Sequence, residues 1–213
     1  MGSSSGEGFE LLVTGMGRQP LRQPFAPERS EDVDLVSAAR GGDRAAFGHL
    51  YDRYARMVHG VLLAKVPAGE VDDLLQDVFV MALRRLSMLR EFGSFGAWLA
   101  AIARNLANDY HRRSLPEGQL TVNVTENELE LQMASDDHEH SALAILDTIK
   151  SLPDAYREPL ILRLVEGMTG PEIAARTGLT PGSVRVNLHR GMQLLRAKLS
   201  LEFGNQGSEQ GRT

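Results

Sequence analysis

The chain has 213 residues, 42% of them hydrophobic and 24% charged, with a formal net charge of −5. That length suits one large or two small domains, and that composition is ordinary for a globular protein. It has no cysteine, which excludes disulfides and thiolate metal sites, and no apolar run approaches the roughly 20 residues needed to span a bilayer. The start, MGSSSGEGFELLVTGMGRQP, lacks the basic segment and apolar core of a signal peptide.

The net charge conceals an uneven distribution. Residues 31–113 balance eleven acids with eleven bases. Residues 114–148 carry eight acids and no Lys or Arg, whereas residues 170–200 carry five bases against the single acid Glu172. The basic end suits contact with phosphates; the acidic middle is repelled by free DNA.

In chain order, residues 1–30 are rich in Gly, Ser and Pro without a sustained period and read as disordered. Asp32 to Arg40 suits a short helix, stopped by Gly41-Gly42, and Asp43 is a suitable N-cap for the next. That helix carries Phe47, Leu50, Tyr51, Tyr54, Val58, Val61 and Leu62 at helical spacing, and ends near Pro67 and Gly69. Val71, Leu74, Leu75, Val78, Phe79, Ala82, Leu83 and Leu86 predict a further helix with one broad apolar stripe, opposite Asp72, Asp73, Gln76, Asp77, Arg84 and Arg85. After the loop Arg90-Glu91-Phe92-Gly93-Ser94, the period resumes at Phe95, Trp98, Leu99, Ile102, Ala103 and Leu106 and closes on Tyr110-His111-Arg112-Arg113. The expected core of this all-helical domain is Phe47, Leu50, Tyr54, Leu74, Val78, Phe79, Trp98 and Ile102.

From 114 to 140 the pattern lapses into a polar, acidic run that reads as a flexible tether. Asp137-His138-Glu139-His140 has metal-ligating side chains but no further ligands beside it, so no metal is expected. Helices are predicted again from Leu143 to Ile149 and from Tyr156 to Val165. A short helix over Gly170–Thr177 has Pro171 in its first turn, Gly178-Leu179-Thr180 forms a turn, and a longer helix runs from Pro181 to about Leu199 with Thr180 as N-cap. Short helix, glycine-containing turn and longer basic helix make a helix-turn-helix pattern. Residues 201–213 read as a frayed tail.

The two halves together resemble the extracytoplasmic-function (ECF) group of bacterial RNA polymerase sigma factors, over about Glu31 to Leu199. DLVSAARGGDRAAFGHLYDRYA, VDDLLQDVFVMAL and FGSFGAWLAAIARNLANDYHRR are similar to that family's region 2, and SLPDAYREPLILRLVEGMTGPEIAARTGLTPGSVRVNLHRGMQLLRAKL to its region 4. The resemblance implies an all-α fold of two small domains: a region 2 bundle over 31–113 and a region 4 helix-turn-helix domain over 141–200, joined by the acidic linker 114–140. It implies core RNA polymerase, promoter DNA and an anti-sigma protein as partners and no cofactor; the lack of cysteine fits a cytoplasmic location, and no nucleophile, acid pair or Gly-rich phosphate loop stands in a catalytic constellation, so no catalysis is expected. In the family the acidic face of the D-L-x-Q-D helix binds core polymerase; the matching residues here are Asp73, Gln76 and Asp77. The following loop and helix capture the minus-ten element as single strand, at positions matching Arg90, Phe92, Ser94, Phe95 and Asn105, with Arg112 and Arg113 on backbone phosphate. An aromatic wall and an amide suit a flipped base. The region 4 helix reads the minus-thirty-five duplex, with Ser183, Arg185, Asn187, His189 and Arg190 as candidates, since Arg bonds guanine bidentately and Asn adenine.

The chain also departs from the family pattern. Val186-Asn187 stand where a small polar residue and a base are commoner, so the promoter sequence does not transfer from a relative. Gly96 stands where a larger residue is frequent and is expected to loosen the base pocket. Bland readings stand beside these: Asp73, Gln76 and Asp77 as a solvated face, Trp98 as core, Arg112 and Arg113 as helix C-terminal charges. Two rival functions are a free-standing helix-turn-helix regulator and a sigma paralogue that titrates a partner without opening promoters.

Overall fold

The computed structural model describes residues 28–114 and 137–209. Eight α-helices carry these residues: α1 (Glu28–Arg40), α2 (Arg44–Leu63), α3 (Val71–Arg85), α4 (Phe95–Ser114), α5 (Asp137–Lys150), α6 (Asp154–Leu164), α7 (Gly170–Thr177) and α8 (Pro181–Glu209). Short 3₁₀ turns at Ala68–Glu70, Leu86–Met88 and Phe92–Ser94 join helices of the first half. No strand occurs among the described residues.

Local chemistry sets most boundaries. Gly42, at φ 98°, supplies the left-handed residue between α1 and α2. The Asp43 carboxylate accepts from the amides of Ala45 (2.8 Å) and Ala46 (3.1 Å), satisfying two of α2's orphan donors. α7 opens on a reciprocal capping box. The Thr169 hydroxyl accepts from the Glu172 amide (3.4 Å), and the Glu172 carboxylate accepts from the Thr169 amide (2.6 Å). Thr180 caps α8 by accepting from the Ser183 amide at 3.1 Å.

Three helices outrun their expected ends. α1 begins at Glu28 rather than near 31. α5 begins at Asp137, so the acids Asp137 and Glu139 lie in a first turn, where the helix dipole favours negative charge. α8 runs to Glu209, because no Pro stops it after Leu199. The disordered reading of residues 1–27 and the tether reading of 115–136 fall outside the described residues.

Of the expected core, Leu50, Tyr54, Val78, Phe79 and Ile102 are buried, while Phe47, Leu74 and Trp98 are half-buried at its edge. Leu83 is corrected outright: it is 53% exposed, on the outer side of α3. Trp98 packs against Phe95, with ring centroids 5.9 Å apart. Fully burying each such apolar side chain contributes roughly 1.5–3 kcal/mol.

The two helical groups do not stand apart. One continuous core runs from Leu50, Met57, Phe95 and Leu99 into Leu160, Ile161, Leu162 and Ile173. α2 packs on α6 and α7, and α4 on α7. The approach is close at glycines. A Cβ on Gly60 would lie 2.7 Å from Leu162 Cδ2, and one on Gly178 would lie 2.7 Å from the Ala97 Cβ. Gly178 also needs its left-handed φ of 77° to end α7.

Charged groups buried at this junction are paired. Arg104 grips Glu158 with two hydrogen bonds, Nε at 2.9 Å and a terminal nitrogen at 2.7 Å. His59 Nδ1 lies 2.6 Å from the Glu166 carboxylate, and Arg56 donates to the Glu166 carbonyl. Arg176 donates to the Arg53 carbonyl at 3.0 Å, and its guanidinium lies 5.8 Å above the Tyr54 ring. The Lys150 ammonium donates to the Val66 carbonyl at 3.1 Å. Among the described residues, no buried side-chain nitrogen or oxygen lacks a hydrogen-bond partner. Such pairs cost desolvation, and removing one member is strongly destabilising because it leaves a buried charge alone.

Candidate functional site

Three surfaces carry the residues singled out by sequence. The first is the outer face of α3. Val71, Leu75, Val78, Phe79 and Ala82 turn inward and are buried. This leaves Asp73, Gln76 and Asp77 exposed together, since residues three and four apart share a helix face. The same face continues into Val80 (45% exposed) and Leu83 (53%). The stripe therefore grades from acidic to apolar along one helix, which suits a protein partner better than free solvent. Sequence reading missed Val80 and turned Leu83 inward, because a helix with this many apolar residues does not show where its stripe ends.

The second surface lies around the start of α4. Arg90 and Ser94 are exposed and Phe92 is half-buried. The Arg40 guanidinium stands 5.5 Å from the Phe92 ring centroid and reaches the Leu89 carbonyl at 3.5 Å. Phe95 is fully buried, edge-on to Tyr54 with centroids 5.2 Å apart and tilted against Trp98. In this arrangement its ring offers no face to a ligand and instead braces the loop from behind. Tyr54 in turn donates to Asp32 at 2.5 Å. Burial, followed by that hydrogen bond, pushes the Tyr54 phenol well above its ordinary range.

Asn105 does not share a pocket with this loop. It stands ten residues beyond Phe95 on α4, about 15 Å along the axis at the α-helical rise. There it lines a depression of about 350 Å³ between α3 and α4, with Arg85, Met81, Asn108 and Arg112. Arg112 is exposed and pairs with Asp109 one turn back; Arg113 is exposed. The expected single site is thus two patches on one helix, a loop with an aromatic and a polar depression with two arginines. Arg40 and Arg85 are the members that sequence reading did not identify; both come from other helices, so no local pattern marks them.

Gly96 has a role different from the one expected. It is buried, and a Cβ there would lie 2.7 Å from both the Arg176 carbonyl oxygen and Tyr54 Cε1. The missing side chain does not leave space in a pocket; the backbone of α7 fills that space.

The third surface is the start of α8. Val184, buried at 1% exposure, anchors it, with Leu195 and Leu199 further along. Ser183, Arg185, His189 and Arg190 are exposed and Asn187 is half-buried. The Ser183 hydroxyl lies 2.8 Å from the Thr180 hydroxyl in the cap. His189 Nε2 accepts from the Gln193 amide at 3.2 Å. Two guanidiniums, an amide and an imidazole on one exposed helix surface have the donor and acceptor geometry for base edges in a major groove. Val186, 45% exposed, adds an apolar contact suited to a thymine methyl.

Two titrating groups respond to the junction between the helical groups. The hydrogen bond to Glu166 holds the His59 imidazole above its ordinary pKa, against the opposing effect of burial. Burial pulls the Lys150 ammonium below its ordinary value. Among the described residues, no group of three or more His, Asp or Glu side chains is placed to hold a metal; the side chains of Asp137 to His140 lie outside that description.

The two helical groups each match a known protein family. Residues 50–115 match the family described as sigma-70 region 2, and residues 142–195 the family described as sigma-70 region 4. The ECF RNA polymerase sigma factor BldN of Streptomyces coelicolor is 31% identical over 82% of this chain and 68% of its own length. The ECF RNA polymerase sigma-E factor of Escherichia coli K12 is 31% identical over 81% of this chain and 96% of its own. Among solved structures, CnrH in complex with the cytosolic domain of CnrY is similar at 27% identity and a TM-score of 0.56, covering 80% of this chain and 98% of CnrH. The chain belongs to the ECF RNA polymerase sigma factors, which are transcription initiation factors. None of its described helices is long and apolar enough to cross a membrane.

Proposed function

We infer that the three surfaces divide the work of promoter-specific initiation. The graded face of α3, from Asp73, Gln76 and Asp77 to Val80 and Leu83, docks on core RNA polymerase. Arg90, Phe92 and Ser94 at the start of α4, together with Asn105, Arg112 and Arg113 along it, take the minus-ten strand once it leaves the duplex. The Phe92 ring gives one base a face to stack on, and the Asn105 amide, about 15 Å along α4, can read the edge of another; the arginines neutralise backbone phosphate. Ser183, Arg185, Asn187, His189 and Arg190 on α8 read the minus-thirty-five duplex. Phe95 supports the loop rather than touching the base. The chain catalyses no reaction itself and needs no cofactor: stacking and pairing lost in melting are offset by captured bases and phosphate contacts. Its place of action is the cytoplasm, where the polymerase is, and an anti-sigma protein is its expected inhibitor, as CnrY's cytosolic domain is found bound to CnrH.

The observation that carries this reading is the exposure of the acidic α3 face and the basic start of α8 on one chain of this family. The test is transcription of a genomic fragment library by core polymerase, with and without the protein. Discrete new start sites that vanish with Asp73→Ala plus Gln76→Ala support it. A protein that co-purifies with core polymerase yet yields no start site is the titrating paralogue, and one that binds promoter duplex tightly without polymerase is the free-standing regulator.

A further inference from the structure

Arg40 ends α1, outside the stretch that carries the minus-ten surface, yet it touches that surface at two points. Its guanidinium lies 5.5 Å from the centroid of the Phe92 ring and reaches the Leu89 carbonyl at 3.5 Å. Those two contacts bracket the short segment between the 3₁₀ turn after α3 and the 3₁₀ turn before α4. Val33, Val36 and Arg40 share one face of α1, because they are spaced three and four residues apart. Val36 is fully buried and fastens that face to the core. A Cβ on Gly93 would lie 3.9 Å from Val33 Cγ2, so α1 also backs the loop one residue beyond Phe92.

Helix position alone does not account for this geometry. The helix dipole favours a cation in a last turn, but it does not aim that cation at a ring on another element. Among the described residues no carboxylate lies within ion-pair distance of Arg40. Its charge is left to the ring, whose negative face attracts a cation, and to the carbonyl. Phe92 is half-buried, so part of its ring stays open beside the guanidinium. A loop aromatic that samples several rotamers loses that freedom when a base stacks on it. A ring already held loses less, and the difference appears as affinity.

We propose that Arg40 is a positioning residue for strand capture: it holds the Phe92 ring and the backbone at Leu89 in the arrangement that accepts an unpaired minus-ten base, and it acts through the ring rather than on the DNA. The proposal rests on the sigma-factor reading above and adds to it a residue from a different helix.

The test uses holoenzyme formed from the full chain with saturating core polymerase. The probe is a dye-labelled single strand carrying the non-template minus-ten sequence of a promoter found by the fragment-library transcription, and binding is read by anisotropy. Arg40→Met keeps the aliphatic stem and removes the charge and the donors. It should weaken capture roughly two- to fivefold, the size of an exposed cation–π contact. Arg40→Lys, which keeps a cation beside the ring, should recover most of that loss. Phe92→Ala should weaken capture by itself, and Arg40→Met added to it should cost nothing further, because residues acting through one contact are not additive. The slope of affinity against salt should be unchanged in Arg40→Met. Should Arg40→Met not fold, Arg40→Gln, which keeps a donor for the Leu89 carbonyl, replaces it. Equal losses with and without the Phe92 ring overturn the proposal, and a salt slope lower by about one then identifies a direct phosphate contact instead. Unchanged capture in Arg40→Met or in Phe92→Ala also overturns it, as does a Lys variant no better than the Met one. A wild-type holoenzyme that yields no start site at all overturns the sigma-factor reading, whatever the Arg40 variants do.

Discussion

Replacing Phe95 by Ala separates a core residue from a base contact. The ring is 0% exposed and lies between Tyr54 and Trp98, at centroid distances of 5.2 and 5.9 Å. Removing a phenyl ring from such a site loses its transfer free energy and leaves a cavity, about 3–5 kcal/mol in all. Against a total stability on the order of 5–15 kcal/mol, that is a large share. For a chain of this length each kcal/mol moves the melting temperature by about 2–4 °C, so the expected drop is about 6–20 °C. The chain has one tryptophan, and it touches the mutated ring, so urea unfolding followed by Trp98 fluorescence reads the change at the site itself. The midpoint should fall with little change in slope. If Phe95→Ala loses under about 1 kcal/mol while open-complex formation collapses, the ring acts on DNA and the packing argument is wrong.

Other expectations test other levels of the structure. Asp43→Ala removes an acceptor shared by two amides at the start of α2 and should cost about 1 kcal/mol by chemical denaturation; an unchanged midpoint would show that water replaces the cap. Arg185→Ala should cost about 1–3 kcal/mol on its preferred duplex and relax the preference at one base position, whereas Arg113→Ala should weaken binding to all sequences and lower the salt slope by about one. These are separable by holoenzyme binding to promoter variants at two salt concentrations. His59 is held above its ordinary pKa by the Glu166 hydrogen bond. Its charged form therefore stabilises the folded chain fully below about pH 6.5, and that contribution is lost as pH rises through the higher folded value. The melting-temperature difference between wild type and His59→Gln should shrink across that window; a difference independent of pH would sink the assignment.

The sequence by itself determined the helices and most of their ends. Asp43, Pro171, Gly178 and Thr180 act on amides and carbonyls a few residues away, so their meaning is readable in a one-dimensional pattern. The same holds for the exposed acids of α3 and the arginines at the start of α8, which follow from helical spacing around a buried stripe. Tertiary structure decided whatever depends on a second element approaching. Periodicity places Phe95 on the apolar stripe and family likeness places it in a base pocket; only the positions of Tyr54 and Trp98 show that its ring is fully enclosed. Val80 and Leu83 are apolar yet stay outside because no other described helix covers that edge of α3. Gly96 reads as a missing side chain until Arg176, eighty residues further along the chain, is seen to occupy its place. The pairing of Arg104 with Glu158 and of His59 with Glu166 has no sequence signature, because the free energy that selects those partners comes from excluding water between surfaces distant in the chain.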